Sequence, residues 1–213
     1  MAKSHLALVT PTTEICTVVS PHRSSGRRPN AEFRTREHLT TPEVERLIEA
    51  AKAGNRYGRR DALMILLAFR HALRASEVVD LRWEQVDFKA AVLHVRRTKN
   101  GTPATHQLTG RELRELREHR RKSSASSTFL FVSERGAPLS APGFSRMVER
   151  AGVVADLGIK VHAHMLRHAC GFKLANDGHD TRSIQAYMGH RNIQNTVKYA
   201  ALAPGRFKSF WRD

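Results

Sequence analysis

The first sustained hydrophobic period along the chain lies in LTTPEVERLIEAAKAG, where Val44, Leu47, Ile48 and Ala51 fall on one face of a helix. Thr40 and Glu43 stand at capping-box spacing, Pro42 suits a first turn, and Gly54 ends the run. RRDALMILLAFRHAL is apolar on most sides and predicts a buried helix, with a short one close behind in ASEVVDL. The period then changes. AVLHVRR and ATHQLT lean towards β structure and are joined by TKNGTP, whose Asn100-Gly101 pair is a strong turn signal. A hairpin over residues 91–108 follows, with Lys99 near its tip. RELRELREHRR reads as a charged surface helix, FLFVS as a short buried strand and GFSRMVERAG as a further helix. Three closely spaced helical segments come last, around HAHMLRHACGFKLAND, TRSIQAYMGH and NIQNTVKYAAL, separated by Gly178 and Gly189. The pattern predicts a mainly α domain with a small antiparallel β-sheet, an α+β fold, and shows no internal repeat.

Residues 1–36 show neither period, and SPHRSSGRRPN from Ser20 reads as a flexible basic segment. The expected organisation is a basic arm over 1–36 followed by one domain over 37–213. On composition the arm serves as a DNA-backbone contact or as a solubilising tail, and the two readings stay open.

Charge narrows the partner. Lys and Arg number 36 against 20 Asp and Glu, a formal net charge of +16, which suits a polyanion. Nucleic acid leads and an anionic membrane surface comes second. No run approaches the roughly 18 apolar residues of a membrane span, which weakens the membrane reading. The N-terminus lacks a charged segment followed by an apolar core and a small-residue cleavage site, so a cytoplasmic protein is expected. Cys16 and Cys170 have neither zinc-ligand nor disulfide-framework spacing, and reduced thiols are expected for both.

Four separated motifs then occur in a fixed order: LRASE, Lys99 in the hairpin, HMLRH, and GH with a tyrosine nine residues beyond its histidine. Each alone is weak, but together, in this order and spacing, they resemble the tyrosine recombinases, or phage integrases, over the family's catalytic domain from about Arg36 onward. The resemblance implies that fold, and an active site of Arg74, Lys99, His164, Arg167, His190 and Tyr199, with Glu77 at an accessory acidic position. Within the family the chain is most similar to the compact bacterial fimbrial phase-variation recombinases, through HAHMLRHACGFKLANDGHDTRSIQAYMGHRNIQNTVKYAA and the following GRF.

The residue types suit that chemistry. A phosphodiester under attack gathers negative charge on its non-bridging oxygens, which paired guanidiniums such as Arg74 and Arg167 bind in forked geometry. A tyrosine hydroxyl has an ordinary pKa near 10, so only about one part in a thousand is phenolate at neutral pH. His164 is the candidate helper. The resemblance gives Lys99 the task of protonating the leaving 5′ oxygen and His190 a hydrogen bond to the phosphate. The product would be a 3′-phosphotyrosine and a free 5′ hydroxyl, with no ATP, metal or other cofactor implied.

His164 and His168 stand four apart on a predicted helix, but zinc hydrolases place a glutamate beside the first histidine and this chain has Met165. His168 is better read as a neighbour of Arg167, Tyr187 as packed and Tyr57 as a surface residue. The RELRELREHRR stripe reads as a solvated face, with DNA contact as the minor alternative.

The implied partners are double-stranded DNA, a homotetramer on paired sites and accessory DNA-bending proteins, in a bacterial cytoplasm at the nucleoid, with no membrane. Most of the family carries a helical domain ahead of the catalytic one, for which this chain leaves no room. Phe207, Phe210 and Trp211 are expected to dock on a neighbouring subunit or on their own domain. Inversion, excision or integration is the leading activity. The alternatives are a non-catalytic DNA-binding regulator or mobile-element remnant, and a topoisomerase-like enzyme that nicks and reseals alone.

Overall fold

Thr40 and Glu43 form the cap that their spacing predicts: the Thr40 amide and hydroxyl donate to Glu43 Oε2 at 2.7 and 2.8 Å. In the computed structural model, which describes residues 36–54, 56–98, 101–123 and 127–201, this cap opens α1 (Thr41–Gly54). Its buried side chains are Val44, Leu47, Ile48 and Ala51, the predicted stripe. The stripe lies against α2 (Gly58–Arg70), which is buried from Asp61 through Phe69, and α5 (Ala141–Val154) also packs on α1.

The short α3 (Ala75–Val79) follows α2 after a sharp break at His71–Leu73. A 3-10 turn, Trp83–Gln85, leads into a three-stranded antiparallel sheet in the order β1 (Val86–Asp87), β2 (Val92–Val95), β3 (Ala104–Gln107). The hairpin pairs Val92 with Gln107 and Val95 with Ala104, while Lys99 and Asn100 lie outside the described residues. β1 adds a third strand, too short for any alternation to show in the sequence.

The expectation of a strand in FLFVS is corrected. Phe129 and Val132 make only isolated bridges, to Arg82 and Pro138, because each meets its partner at a single residue pair. Leu130 and Phe131 are nevertheless buried.

α4 (Gly110–Lys122) starts from a second capping box, Thr109 with Glu112. Its first turn is fastened to the end of α2, where His71 lies 2.9 Å from Glu112 and 3.2 Å from His106. The C-terminal third is α6 (His164–Asn176), α7 (Thr181–Met188) and α8 (Gln194–Ala201). Gly178 and Gly189 separate them with φ of +86° and +64°, left-handed values that a residue with a Cβ rarely adopts. α6 packs on α2, α7 and α8, which brings the start of α3, the hairpin and the last three helices to one corner. Among the described residues no helix is long and apolar enough to cross a membrane.

Candidate active site

The corner is organised by the break after α2. Ala72 sits at φ +51°, a strained value for a residue with a Cβ, and its carbonyl accepts from two guanidiniums, Arg97 Nη1 at 3.2 Å and Arg167 Nη1. Arg167 comes from the first turn of α6 and also donates to the Met188 carbonyl at 2.8 Å, so one side chain spans α6, the α2–α3 link and the end of α7. It is 1% exposed. Burial, with Arg74 and Arg97 nearby, pulls its pKa down to about 10, which still leaves it charged at neutral pH.

Arg74 stands at the start of α3, its side chain 26% exposed. Its amide donates to Glu77 Oε2 at 2.9 Å and its guanidinium to Oε1 at 2.7 Å. Glu77 also receives Arg97 at 3.0 Å and the Thr98 amide at 3.1 Å, and Arg167 lies 4.0 Å away. Burial pushes the Glu77 carboxyl up, but the Arg74 amide and the Arg97 and Arg74 guanidiniums together hold it below the ordinary carboxylate range. It therefore stays ionised and offsets part of the charge of the three arginines.

Tyr199 projects from α8 against α6 and is 1% exposed. Its ring meets the edge of Phe172 at 5.2 Å and lies parallel to the His190 ring at 6.4 Å. Gly171 makes room for it, since a Cβ there would fall 2.7 Å from Tyr199 Cε2. The hydroxyl is hydrogen-bonded to His168 Nδ1 at 2.8 Å. Burial drives the phenol up to about 12 against the pull of Arg167, and burial with His164 beside it drives the His168 imidazole down to about 3. Both partners are neutral across the physiological range.

His164 is exposed at the start of α6, its ring 4.5 Å from that of His168 in an edge-on arrangement. His190 follows Gly189 and engages Thr196 Oγ1 through Nδ1 at 2.8 Å, leaving Nε2 as its other ring nitrogen. Burial and Arg167 lower its pKa to about 4.

Of the residues singled out in the sequence, Arg74, Glu77 and Arg167 thus share one cluster, and Tyr199 joins His190 and, through His168, His164. Lys99 lies outside the described residues, as do residues 1–35 and the tail with Phe207, Phe210 and Trp211. Sequence reasoning missed two members. The histidine on the Tyr199 hydroxyl is His168 rather than His164, and helical spacing of four from His164 was its only signal. Arg97 is buried with four acceptors while its neighbour Arg96 is exposed, and no signal in the sequence separates the two. Tyr187 packs on His106 at 3.8 Å between ring centres and donates to the Arg70 carbonyl at 2.8 Å. Cys170 is a free, buried thiol. Among the described residues no group of three or more His, Cys, Asp or Glu is placed to hold a metal ion.

Comparison with known proteins gives the family. Residues 37–206 match the model of the phage integrase family. The type 1 fimbriae regulatory protein FimB of Escherichia coli K12 is 41% identical over 185 residues, covering 85% of this chain and 92% of that protein. Tyrosine recombinase XerA of Pyrococcus furiosus is 32% identical over 173 residues, 80% of this chain and 59% of that one. Among solved structures, a XerA recombinase superposes with a TM-score of 0.70 at 24% identity, covering 86% of this chain and 68% of that chain. XerH bound to a palindromic difH substrate after cleavage gives 0.71 at 20% identity, covering 91% and 57%. At such identities these structures speak for the fold alone. With a family model matched over most of its length and relatives of this similarity, the chain belongs to the phage integrase family, the tyrosine recombinases.

Proposed function

We propose that the chain is a site-specific DNA recombinase that cuts and rejoins DNA through Tyr199, its catalytic domain running over 37–213 behind a basic arm. The observation that carries this reading is the corner itself: Arg74 and Arg167 gathered around Glu77, with the Tyr199 hydroxyl sheltered on the same helix α6 that supplies Arg167. Keeping so much charge and a neutral phenol at one place is costly for a domain that only binds DNA.

In the reaction, Arg74 and Arg167 hold the non-bridging oxygens of the scissile phosphate and His190 Nε2 donates a third hydrogen bond. Tyr199 Oη forms the new bond to phosphorus and the bond to the 5′ oxygen breaks. The phenolic proton passes to a base, a role for which His164 and His168 both stand close, and the 5′ oxygen takes its proton from the Lys99 ammonium. A phenol near 12 is phenolate in only about one part in a hundred thousand at pH 7, so binding of the phosphate must accompany release of the hydroxyl from His168. Rejoining is the same sequence run backwards from a second DNA end.

Recombination needs four such exchanges, so the working assembly on DNA is a homotetramer on paired sites, aided by DNA-bending proteins, at the bacterial nucleoid. The resemblance to the fimbrial phase-variation recombinases favours inversion over excision or integration.

The test uses nicked suicide duplexes made from DNA flanking the chain's own gene. Wild type is expected to form a detergent-resistant protein–DNA adduct and Tyr199→Phe none, with binding retained by both. Binding by wild type without an adduct, on duplexes carrying the true site, would return the chain to the class of DNA-binding regulators.

A further inference from the structure

We propose that Arg97 is a positioning residue: it ties Thr98 and Gly101, the residues flanking positions 99–100, to the Arg74–Glu77 corner, and proton delivery by Lys99 depends on that tie. The proposal rests on the recombinase reading and on the role given there to Lys99.

The Arg97 side chain is fully buried, 0% exposed, yet it is not simply filling space. Nη1 donates to the Ala72 carbonyl at 3.2 Å and to Glu77 Oε2 at 3.0 Å, and Nη2 donates to the carbonyls of His71 at 3.1 Å and Tyr187 at 2.7 Å. One guanidinium therefore joins β2's continuation to the α2–α3 link, to α3 and to α7. A lysine carries the same charge but cannot make this planar fork.

Both flanks of residues 99–100 are tied to the same place. Before them, the Thr98 amide donates to Glu77 Oε1 at 3.1 Å, and its hydroxyl lies 3.3 Å from the same oxygen. After them, Gly101 closes onto the Arg97 stem so tightly that a Cβ there would fall 2.6 Å from Arg97 Cβ. The Gly101 amide also donates to the Thr98 carbonyl at 3.4 Å. Gly189, just before His190, presses on the same stem, and a Cβ would meet Arg97 Cγ at 2.8 Å and the Thr102 carbonyl at 2.8 Å.

Glu77, which Arg97 grips, is also the carboxylate that orients Arg74. Arg97 and Glu77 thus fix three things relative to one another: Thr98 and Gly101 on the two flanks of the hairpin turn, the phosphate-binding arginine and the loop that bears His190. Burying a guanidinium is expensive, and an apolar side chain could fill the space; a charged fork is what can hold four oxygens from separate segments in register.

The test separates proton delivery from folding. Cleavage is timed on nicked duplexes that carry either the ordinary 5′ oxygen or a bridging sulfur at the scissile position, since a thiolate leaves without protonation. Lys99→Ala is the reference and is expected to lose about a hundredfold or more on oxygen and to recover most of it on sulfur. Arg97→Lys is expected to show the same signature, slowed roughly tenfold to a hundredfold on oxygen and within about threefold of the parent on sulfur. The ratio of the two rates is taken on one preparation, so any loss of folded protein cancels.

Gly101→Ala keeps the guanidinium but pushes the hairpin off its stem, and it should give a weaker form of the same ratio. It also carries the test if Arg97→Lys cannot be purified folded. Equal slowing on oxygen and sulfur, in a chain whose Lys99→Ala variant is rescued by sulfur, overturns the proposal and leaves Arg97 a structural residue. A parent chain that forms no adduct on either substrate overturns the recombinase reading first, and the proposal with it.

Discussion

Helices α4 and α6 have the same length, 13 residues, and both are rich in basic and histidine side chains, but they use them in opposite ways. α6 buries eight consecutive residues from Met165 to Phe172, Arg167 and His168 among them. α4 buries only Glu112 and Leu116 and leaves Arg114, Arg117, Arg120, Arg121 and Lys122 in solvent. A solvent-exposed ion pair such as Lys122–Glu118 contributes little, being screened by water and salt, whereas each buried charge costs several kcal/mol unless it is fully partnered. Counting charges along the sequence makes α4 the more conspicuous DNA-binding element. Where the fold places them reverses the ranking, because a charge is kept in the interior only when several partners hold it there.

The largest expected effect tests that reversal directly. Arg167→Ala removes donors from the Ala72 and Met188 carbonyls and opens a cavity in the corner. A loss of about 3 kcal/mol in urea unfolding is expected, with cleavage of suicide substrates down by roughly a thousandfold. Arg120→Ala on α4 should stay within about 0.5 kcal/mol of the parent and cleave normally. Comparable stability losses in the two variants would break the contrast.

A smaller effect sharpens it through backbone rather than charge. Alanine is a better helix former than glycine by about 1 kcal/mol, so both Gly171→Ala in α6 and Gly110→Ala in α4 start with a favourable contribution. At Gly110 the nearest atom to a new Cβ is Arg114 Nη1 at 3.5 Å, ordinary contact, and the substitution should be neutral or slightly stabilising. At Gly171 the new atom meets three Tyr199 ring carbons at 2.7 to 2.8 Å. Overpacking of that kind costs about 1 to 3 kcal/mol, enough to reverse the sign. Gly171→Ala should therefore lower the melting temperature and move Tyr199 off His168, seen as a changed tyrosine fluorescence. A melting temperature raised in both variants would mean that Tyr199 does not rest on α6 in solution.

Local rules wrote the frame plainly: the Val44, Leu47, Ile48 and Ala51 stripe, the Thr40–Glu43 cap, the breaks at Gly178 and Gly189 and the hairpin all appear where period and turn chemistry put them. The FLFVS segment misled because hydrophobic content reports burial, and Leu130 and Phe131 are indeed buried, whereas a strand also needs neighbours of matching length. Within the corner, Arg74, Glu77, Arg167, His190 and Tyr199 are legible only because motif spacing survives in the sequence. The hydrogen bond from Tyr199 to His168 joins residues 31 apart, and the choice between Arg96 and Arg97 depends on which way a strand faces; neither is set by any local preference.

The smallest expected effect decides whether α4 is a bystander. The helix lies along α2, with Glu112 beside His71 at one end and Glu118 paired with Arg59 at the other. Its outer arginines rest on an aromatic shelf: Arg117 lies 5.9 Å from the Phe88 ring, and Arg120 lies 5.5 Å from Phe88 and 5.7 Å from Trp83. Such stacking contributes about 0.5 kcal/mol at exposed sites, enough to account for their placement without any ligand. A solvated face then predicts that Arg117→Gln and Arg120→Gln each change stability by no more than about 0.5 kcal/mol and leave the dependence of DNA affinity on salt untouched. Each arginine that does neutralise a phosphate adds about 0.9 to the slope of log affinity against log salt concentration, so the double variant would flatten it by nearly 2 if both touched DNA. A slope unchanged from the parent leaves DNA recognition to the rest of the domain, whereas a flattened one with cleavage intact would make α4 a second backbone contact and turn the contrast into a division of labour, α4 for grip and α6 for chemistry.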